Sequence, residues 1–312
     1  MVKPIVSILI PTYNHAATLE RCLRSVLEQD YEPMQVVVLD NRSTDETYDI
    51  LADYEKRHRD RLYIGRLFDH VGPVDHRNRC RILANPRSMF LQYLPPTDAL
   101  CPGYVSRAMG LFETSKRIGC VLTHADAIHP DGQTTAAAPF REGTEVLPGS
   151  DMMEAFMARG LHLHAMPLFR VEAYNLSHSE AFIFNRFPTW LPLVMSASIF
   201  DVGYISAPPC FCGDARARLG EAFIPAMEDQ IEHYLFLQAF HTIAARLGRS
   251  AVCAHLPAAI QRLARECVRG AKGLEQQGRS LEAQALRALG LAYAPELDPE
   301  TPRQATASGA RA

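Results

Sequence analysis

The chain opens on a short β-branched apolar run, Val6-Ser7-Ile8-Leu9-Ile10, closed by Pro11. Such a run suits a strand buried on both faces of a parallel sheet. Apolar residues at 19, 22, 23, 26 and 27 then recur at helical spacing from Thr18 to Glu28. Val36-Val37-Val38-Leu39 predicts a second buried strand, stopped by Asp40-Asn41. Ser43-Thr44-Asp45-Glu46 predicts the opening of a second helix, with Ser43 or Thr44 as N-cap and acidic residues in its first turn. Leu62 to Leu67 predicts a third strand, Asp75 to Ala84 a third helix, and Met89 to Leu94 a fourth strand. This alternation specifies an α/β sheet with right-handed crossovers. Ligands of such sheets lie beyond the carboxyl ends of the strands, where Thr12, Asn14, Asp40, Asn41 and Asp98 cluster.

Beyond Pro102 the pattern predicts a helix over Ser106 to Ser115 and a short strand over Cys120 to Thr123. A turn at Pro130-Asp131-Gly132 follows, then a helix over Ser150 to Arg159 with Ser150 or Asp151 as cap, and a strand at Leu168 to Arg170. From Glu221 the composition changes to amphipathic helices over 221–247, 257–269 and 280–293. The first carries a broad apolar face of Ile224, Met227, Ile231, Tyr234, Leu235, Leu237 and Phe240. The expected division is an α/β domain over 1–215, a helical region over 216–295 and a disordered Pro-, Thr-, Ala- and Ser-rich tail over 296–312.

The 312 residues suffice for a core that needs no staples, and a net charge of −3 removes the basic field that nucleic acid would require. Eight cysteines are scattered without a CxxC, which favours buried free thiols in a reducing cytosol over a zinc site. The N-terminal run is not that of a signal peptide, and no apolar stretch approaches the ~20 residues of a membrane span. The expected location is the cytoplasm, with room for peripheral contact at the inner face of the membrane. Arg262, Arg265, Arg269 and Lys272 follow one another at near-helical spacing and suit either an anionic lipid or diphosphate-linked ligand or a solvated face. The helical region equally suits packing within the chain or on a second copy, so a homo-oligomer is also allowed.

Asp40 can accept the imide N–H of a uracil, and backbone N–H groups after Pro11 can meet ribose or phosphate oxygens. The same residues serve as well as a turn and a helix cap. His162 and His164 would share one face of a strand, but two histidines without a third ligand are more often surface or core residues than a metal site.

SILIPTYNHAATLERCLRSVLEQDY followed by VVVLDNRSTDETYDIL resembles the opening of family 2 glycosyltransferases. His70-Val71-Gly72 to Arg77-Asn78 and Ala84 to Leu94 resemble the next block, up to the strand before the metal motif. The resemblance runs over residues 5–105, weakens over 106–215 and is absent afterwards. It implies a GT-A fold: a Rossmann-like, mostly parallel central sheet flanked by helices, here with a C-terminal helical extension. Residues 1–105 would form the nucleotide-binding half and 106–215 the acceptor half. It implies transfer of a sugar, with inversion, from a UDP- or dTDP-linked donor to a glycan or lipid-linked acceptor in cell-surface polysaccharide biosynthesis. By position, Pro11, Thr12, Tyr13, Asn14, Asp40, Asn41, Ser43, Asp45 and Asn78 would serve the nucleotide.

Family members carry an acidic cluster for Mn²⁺ or Mg²⁺ where this chain has Pro95-Pro96-Thr97-Asp98, so Asp98 is the surviving metal candidate. Thr189, before Trp190, stands where the family's base is expected, and Cys212-Gly213-Asp214-Ala215 replaces an Arg-x-His. Asp126 and Glu180 are the substitute base candidates, with His124 and His178 beside them. The joint change of these elements leaves a second reading: a catalytically silent GT-A module that binds nucleotide or partners in a glycan assembly system.

Overall fold

Val6, Ile8 and Ile10 alternate along β1 (Ile5–Thr12) and share one core with Leu19, Leu23 and Val26 of α1 (Ala16–Leu27). Leu9 points to the opposite face and is equally buried. The structure is a computed structural model that describes residues 3–129, 131–159, 167–176, 190–213 and 226–297. It divides into two units, the first Met1–Ala155 with Leu161–Phe223, the second Phe156–Gly160 with Ile224–Ala312.

In the first unit the alternation continues through β2 (Met34–Asp40), α2 (Thr47–Arg57), β3 (Leu62–Arg66), α3 (Pro73–Ile82), β4 (Ser88–Tyr93) and α4 (Tyr104–Thr114). Then come β5 (Ile118–Ile128), β6 (Thr134–Thr135), β7 (Glu145–Leu147), α5 (Gly149–Arg159, assigned to the second unit from Phe156 on), β8 (Leu168–Arg170), α6 (Val171–Asn175), α7 (Trp190–Ile199) and β9 (Asp201–Gly213). The sheet order is β3-β2-β1-β4-β8-β5-β9-β7, with β6 paired to β5. β1, β2, β3 and β4 are mutually parallel, as are β5 and β9; β8 enters antiparallel between β4 and β5. Each buried Val, Ile or Leu of this sheet contributes roughly 1.5–3 kcal/mol of transfer free energy.

Several boundaries differ from the sequence expectation for local reasons. The second helix begins at Thr47, and neither Ser43 nor Thr44 caps it. Both are drawn into the preceding loop, Ser43 by Asp40 and Thr44 by Asn14. Ser150 and Asp151 lie inside the first turn of α5, because the helix already starts at Gly149. β5 runs well past Thr123 because β9 accompanies it on both sides of Pro208-Pro209. The register jumps from Thr123↔Ile205 to Ala125↔Cys210, which leaves the two prolines, lacking N–H groups, outside the ladder.

The Gln29-Asp30-Tyr31 end of α1 has a structural task. Gln29 Nε2 donates to Cys101 O at 3.0 Å, and its Oε1 accepts from Val105 N at 3.1 Å, which fixes the loop entering α4. Ser106 Oγ donates to Asp30 at 2.7 Å, and Tyr31 OH donates to Pro4 O at 2.8 Å.

The second unit holds α8 (Ala226–Arg246), α9 (Ser250–Ala254), α10 (Leu256–Gln276) and α11 (Ser280–Tyr293). Phe156 meets Phe236 and Phe240 edge-on at 5.6 and 5.7 Å, and Tyr234 stacks on Tyr293 at 4.5 Å. Among the described side chains of α8, Phe236, Leu237, Phe240 and Ala244 are buried, whereas Ile231 and Leu235, expected on the same face, are 37% and 49% exposed; Ile224 and the Met227 side chain, also expected there, lie outside the described residues. On α10, Arg262 is half-buried and donates to Met157 O, while Arg265, Arg269 and Lys272 are exposed. Among the described residues no helix is long and apolar enough to cross a membrane. All eight cysteines are free, and all but Cys253 are buried.

Candidate active site

The carboxyl ends of β1 and β2 are adjacent, with Thr12 and Asp40 in register. The loops that leave them are tied to each other by polar side chains. Asn14 takes a positive φ of 54°, a conformation that Asn tolerates better than most residues. Its Oδ1 accepts from Thr44 N at 2.8 Å, and its own N–H donates to Ser43 Oγ at 2.9 Å. Asp45 accepts from Ala16 N and Thr47 N, both at 3.0 Å. Burial pushes the Asp45 carboxyl upward, but hydrogen bonds from Thr47 and Ala16 outweigh it and hold the group below its ordinary value.

Asp40 is fully buried. Its carboxylate accepts from Ser43 N and Ser43 Oγ and pairs with Arg66 Nε at 3.2 Å. Arg66 is the register partner of Asp40 on β3, a pairing that only the sheet order reveals. Ser43 N–H is shared between both oxygens, so each oxygen of the carboxylate already holds two contacts.

Asn41 bridges to the loop after β3. Its Nδ2 donates to Val71 O at 2.9 Å, and its Oδ1 accepts from Val71 N at 3.0 Å. That bridge brings His70 over Tyr13, with ring centroids 4.4 Å apart. Arg42 has a φ of 62°, unusual for a long side chain, and is held by donating to Phe68 O at 2.9 Å. Phe68 itself is 95% exposed. Below this loop, His76 Nε2–H donates to Leu39 O at 2.8 Å, and burial lowers its pKa to about 4. Asn78 stands two residues on along α3, half-buried.

Asp98 is 1% exposed, on the segment after β4. Its Oδ1 accepts from Gly213 N at 3.0 Å and from Thr97 Oγ1 at 3.1 Å. Arg21 donates to Thr97 O at 3.0 Å and steadies the same turn from α1. Gly213 is required there: a Cβ on it would fall 2.5 Å from Thr97 Cβ and 2.7 Å from Thr97 O. Phe211 joins two candidates, pairing with Asp126 on β5 and with Ala99 on the Asp98 segment. Asp126 accepts from Ala137 N at 3.0 Å and lies 3.2 Å from His124 Nε2. Glu180, His178, Thr189, His162 and His164 lie outside the described residues.

A divalent cation needs several hard oxygen donors. The Asp98 segment supplies one carboxyl group with an oxygen already bonded twice, and no group of three His, Cys, Asp or Glu side chains converges among the described residues. The described donors do not make a cation site by themselves.

Comparison with known proteins places this geometry. Residues 7–79 match the family model described as Glycosyl transferase family 2. A putative teichuronic acid biosynthesis glycosyltransferase, TuaG of Bacillus subtilis, is 32% identical over 96 residues, covering 31% of this chain and 37% of that protein. The likeness to that curated relative thus spans about a third of its length. Among solved structures, TarS residues 1–349 of S. aureus in complex with UDP-GlcNAc superposes with a TM-score of 0.58 at 15% identity, covering 92% of this chain and 91% of that one. The mannosyltransferase PcManGT of Pyrobaculum calidifontis, solved with GDP-Man and Mn²⁺, gives 0.52 at 16% identity over 93% and 88%. The chain has the GT-A fold that its sequence led one to expect, and its resemblance to family 2 glycosyltransferases holds.

Proposed function

We propose that the protein is a glycosyltransferase that moves a sugar, with inversion, from a UDP- or dTDP-linked donor to a glycan or lipid-linked acceptor in cell-surface polysaccharide biosynthesis. The observation that carries this reading is the convergence of the Thr12–Asn14, Asn41–Asp45 and His70–Val71 loops at the carboxyl edge of a family 2-like sheet. In this reading Pro11, Thr12, Tyr13 and Asn14 line the nucleotide, with Asn78 behind them. Asp40 meets the base by exchanging one of its contacts to Ser43 or Arg66. Asn41, Ser43 and Asp45 shape the loop. The acceptor hydroxyl must lose a proton as it attacks. Asp126, beside His124, is the described carboxylate proposed for that role, with Glu180 as the alternative.

Measuring nucleotide release across a panel of UDP- and dTDP-sugars, with and without Mn²⁺, tests the reading. Turnover that falls at least tenfold in Asp126→Asn or Glu180→Gln supports it and picks the base. One observation favours the second reading, a silent nucleotide-binding module: an oxygen of the one carboxyl group surviving from the acidic cluster is committed to Gly213 and Thr97. Calorimetric binding of UDP without turnover on any donor would support that reading and defeat the first.

A further inference from the structure

Two of the cysteines are not isolated. Cys101, on the loop between the Asp98 segment and α4, faces Cys210 on β9, with sulfurs 3.2 Å apart although the residues are 109 positions apart in sequence. Three further contacts organise the pair. Cys101 N–H donates to Cys210 Sγ at 3.2 Å, Arg107 Nη2 donates to Cys101 Sγ at 3.1 Å, and Cys101 Sγ donates to Pro208 O at 3.2 Å. The two sulfurs are therefore unlike. Cys101 has a guanidinium beside it, and Cys210 lies deeper in the sheet. The cover over Cys101 is thin, since Pro102, Ala207 and Pro208 are exposed and Arg107 is only half-buried.

We propose that Cys101 and Cys210 form an oxidisable dithiol, in which a hydroperoxide attacks at Cys101 and Cys210 closes a disulfide. The Cys101 thiolate displaces hydroxide from the peroxide: an S–O bond forms, the O–O bond breaks, and the sulfur becomes a sulfenic acid. Cys210 then attacks that sulfur. The S–S bond forms, the S–O bond breaks, and the departing hydroxide leaves as water with the Cys210 proton. The balance is two thiols and one hydrogen peroxide to one disulfide and two waters, and a dithiol reductant reverses it. The sulfurs must close by about 1.2 Å to reach the ~2.05 Å of a disulfide.

The electrostatics assign the roles in the same order. The hydrogen bond from the Cys210 thiol, helped by Arg107 and opposed by burial, brings Cys101 down to about 7. The same hydrogen bond, together with burial, raises Cys210 well above its ordinary value. On ionising, Cys101 gives up its bond to Pro208 O and keeps two donors. The isolated thiols differ: burial raises Cys22, Cys80 and Cys120, and none of them faces a second sulfur in a described contact.

The bridge would sit next to the Asp98 corner. Ala99 and Phe211 pair between the two cysteines and the Asp98–Gly213 bond. A disulfide would thus fasten covalently the two segments that this corner holds by hydrogen bonds. Closing so long a loop restricts the unfolded chain strongly.

The experiment uses the full reduced chain, treated with hydrogen peroxide, then alkylated and digested with trypsin. Cys101 falls in Ser88–Arg107 and Cys210 in Phe187–Arg216, so the bridge appears as a cross-linked peptide pair, and fragmentation between Cys210 and Cys212 assigns the sulfur. The expected result is this cross-link, reversed by dithiothreitol, with a rise in Tm of about 5 °C or more. The rate of cross-linking should rise about tenfold from pH 6 to pH 8 as Cys101 ionises. In Cys210→Ser, dimedone should label Cys101. Both sulfurs alkylated after oxidation of the wild-type chain, or a cross-link that uses another cysteine, would overturn the proposal. The wild-type result decides even if the variant does not fold.

Discussion

Replacing Asp98 separates its structural role from a chemical one. Asp98→Ala removes the acceptor of Gly213 N–H and Thr97 Oγ1–H, both in a site where Asp98 and Thr97 are each 1% exposed. A buried donor left without its partner costs about 1–3 kcal/mol, so the pair predicts a loss of about 2–6 kcal/mol. Asp98→Asn keeps a carbonyl oxygen that can accept from both donors, and its loss should be about 1 kcal/mol. Urea denaturation measures this directly. The single tryptophan, Trp190, belongs to the first unit, so intrinsic fluorescence follows the unit that contains Asp98, and far-UV circular dichroism follows the whole chain. Asp98→Ala within about 0.5 kcal/mol of wild type would refute the clamp. Equal losses in Ala and Asn would refute its hydrogen-bond basis. Turnover adds the second axis. A folded Asp98→Asn that loses transfer assigns the carboxylate to diphosphate or metal, whereas one that retains it leaves Asp98 as a clamp.

Asn41→Ala breaks both bonds to Val71 and should cost about 2–3 kcal/mol, read as a shift of the urea midpoint, with a weaker affinity for UDP in calorimetry as the His70 loop loosens. Gly213→Ala drives a methyl group into Thr97 and should lower stability by about 1–3 kcal/mol. Thr97→Ala should not rescue it, because Thr97 Cβ and the carbonyl oxygen stay in place; a double variant of wild-type Tm would show the close approach to be wrong. His76 is buried neutral with a pKa of about 4 against 6.5 unfolded, so its stabilisation is complete above the unfolded value and disappears as pH falls toward the folded one. The loss between pH 7 and pH 4 should be up to about 3 kcal/mol, and His76→Gln should flatten that part of the pH–stability curve. An unchanged slope in the variant would assign the acid sensitivity elsewhere.

The strands and helices of the first hundred or so residues were legible because their signals are local. Val36 to Leu39 is apolar on both faces, as is Val6 to Ile10 apart from Ser7, and a strand buried on both faces is the element that satisfies such a run. The family motifs were legible for a related reason. Gln29, Asn14 and Asn41 each have a backbone partner, and Asp30 accepts from the Ser106 hydroxyl, so each of these residue types answers a specific polar contact. The helix start at Thr47 was missed because the loop residues expected to cap it found other partners, Ser43 in Asp40 and Asn14 and Thr44 in Asn14.

What the tertiary structure alone decided are the contacts between distant segments. Arg66 meets Asp40 because β3 and β2 are in register, and Phe211 brings Asp126 and the Asp98 segment to one strand. Asp98 and Gly213 lie 115 positions apart, and Cys101 and Cys210 lie 109 apart. No periodicity or spacing in the sequence encodes those distances. They follow from the order in which strands join the sheet, and that order minimises exposed apolar surface over the whole unit rather than within any one segment. The sequence by itself thus determined which elements form and which residues carry polar chemistry at their ends; the sheet order determined which of those residues meet.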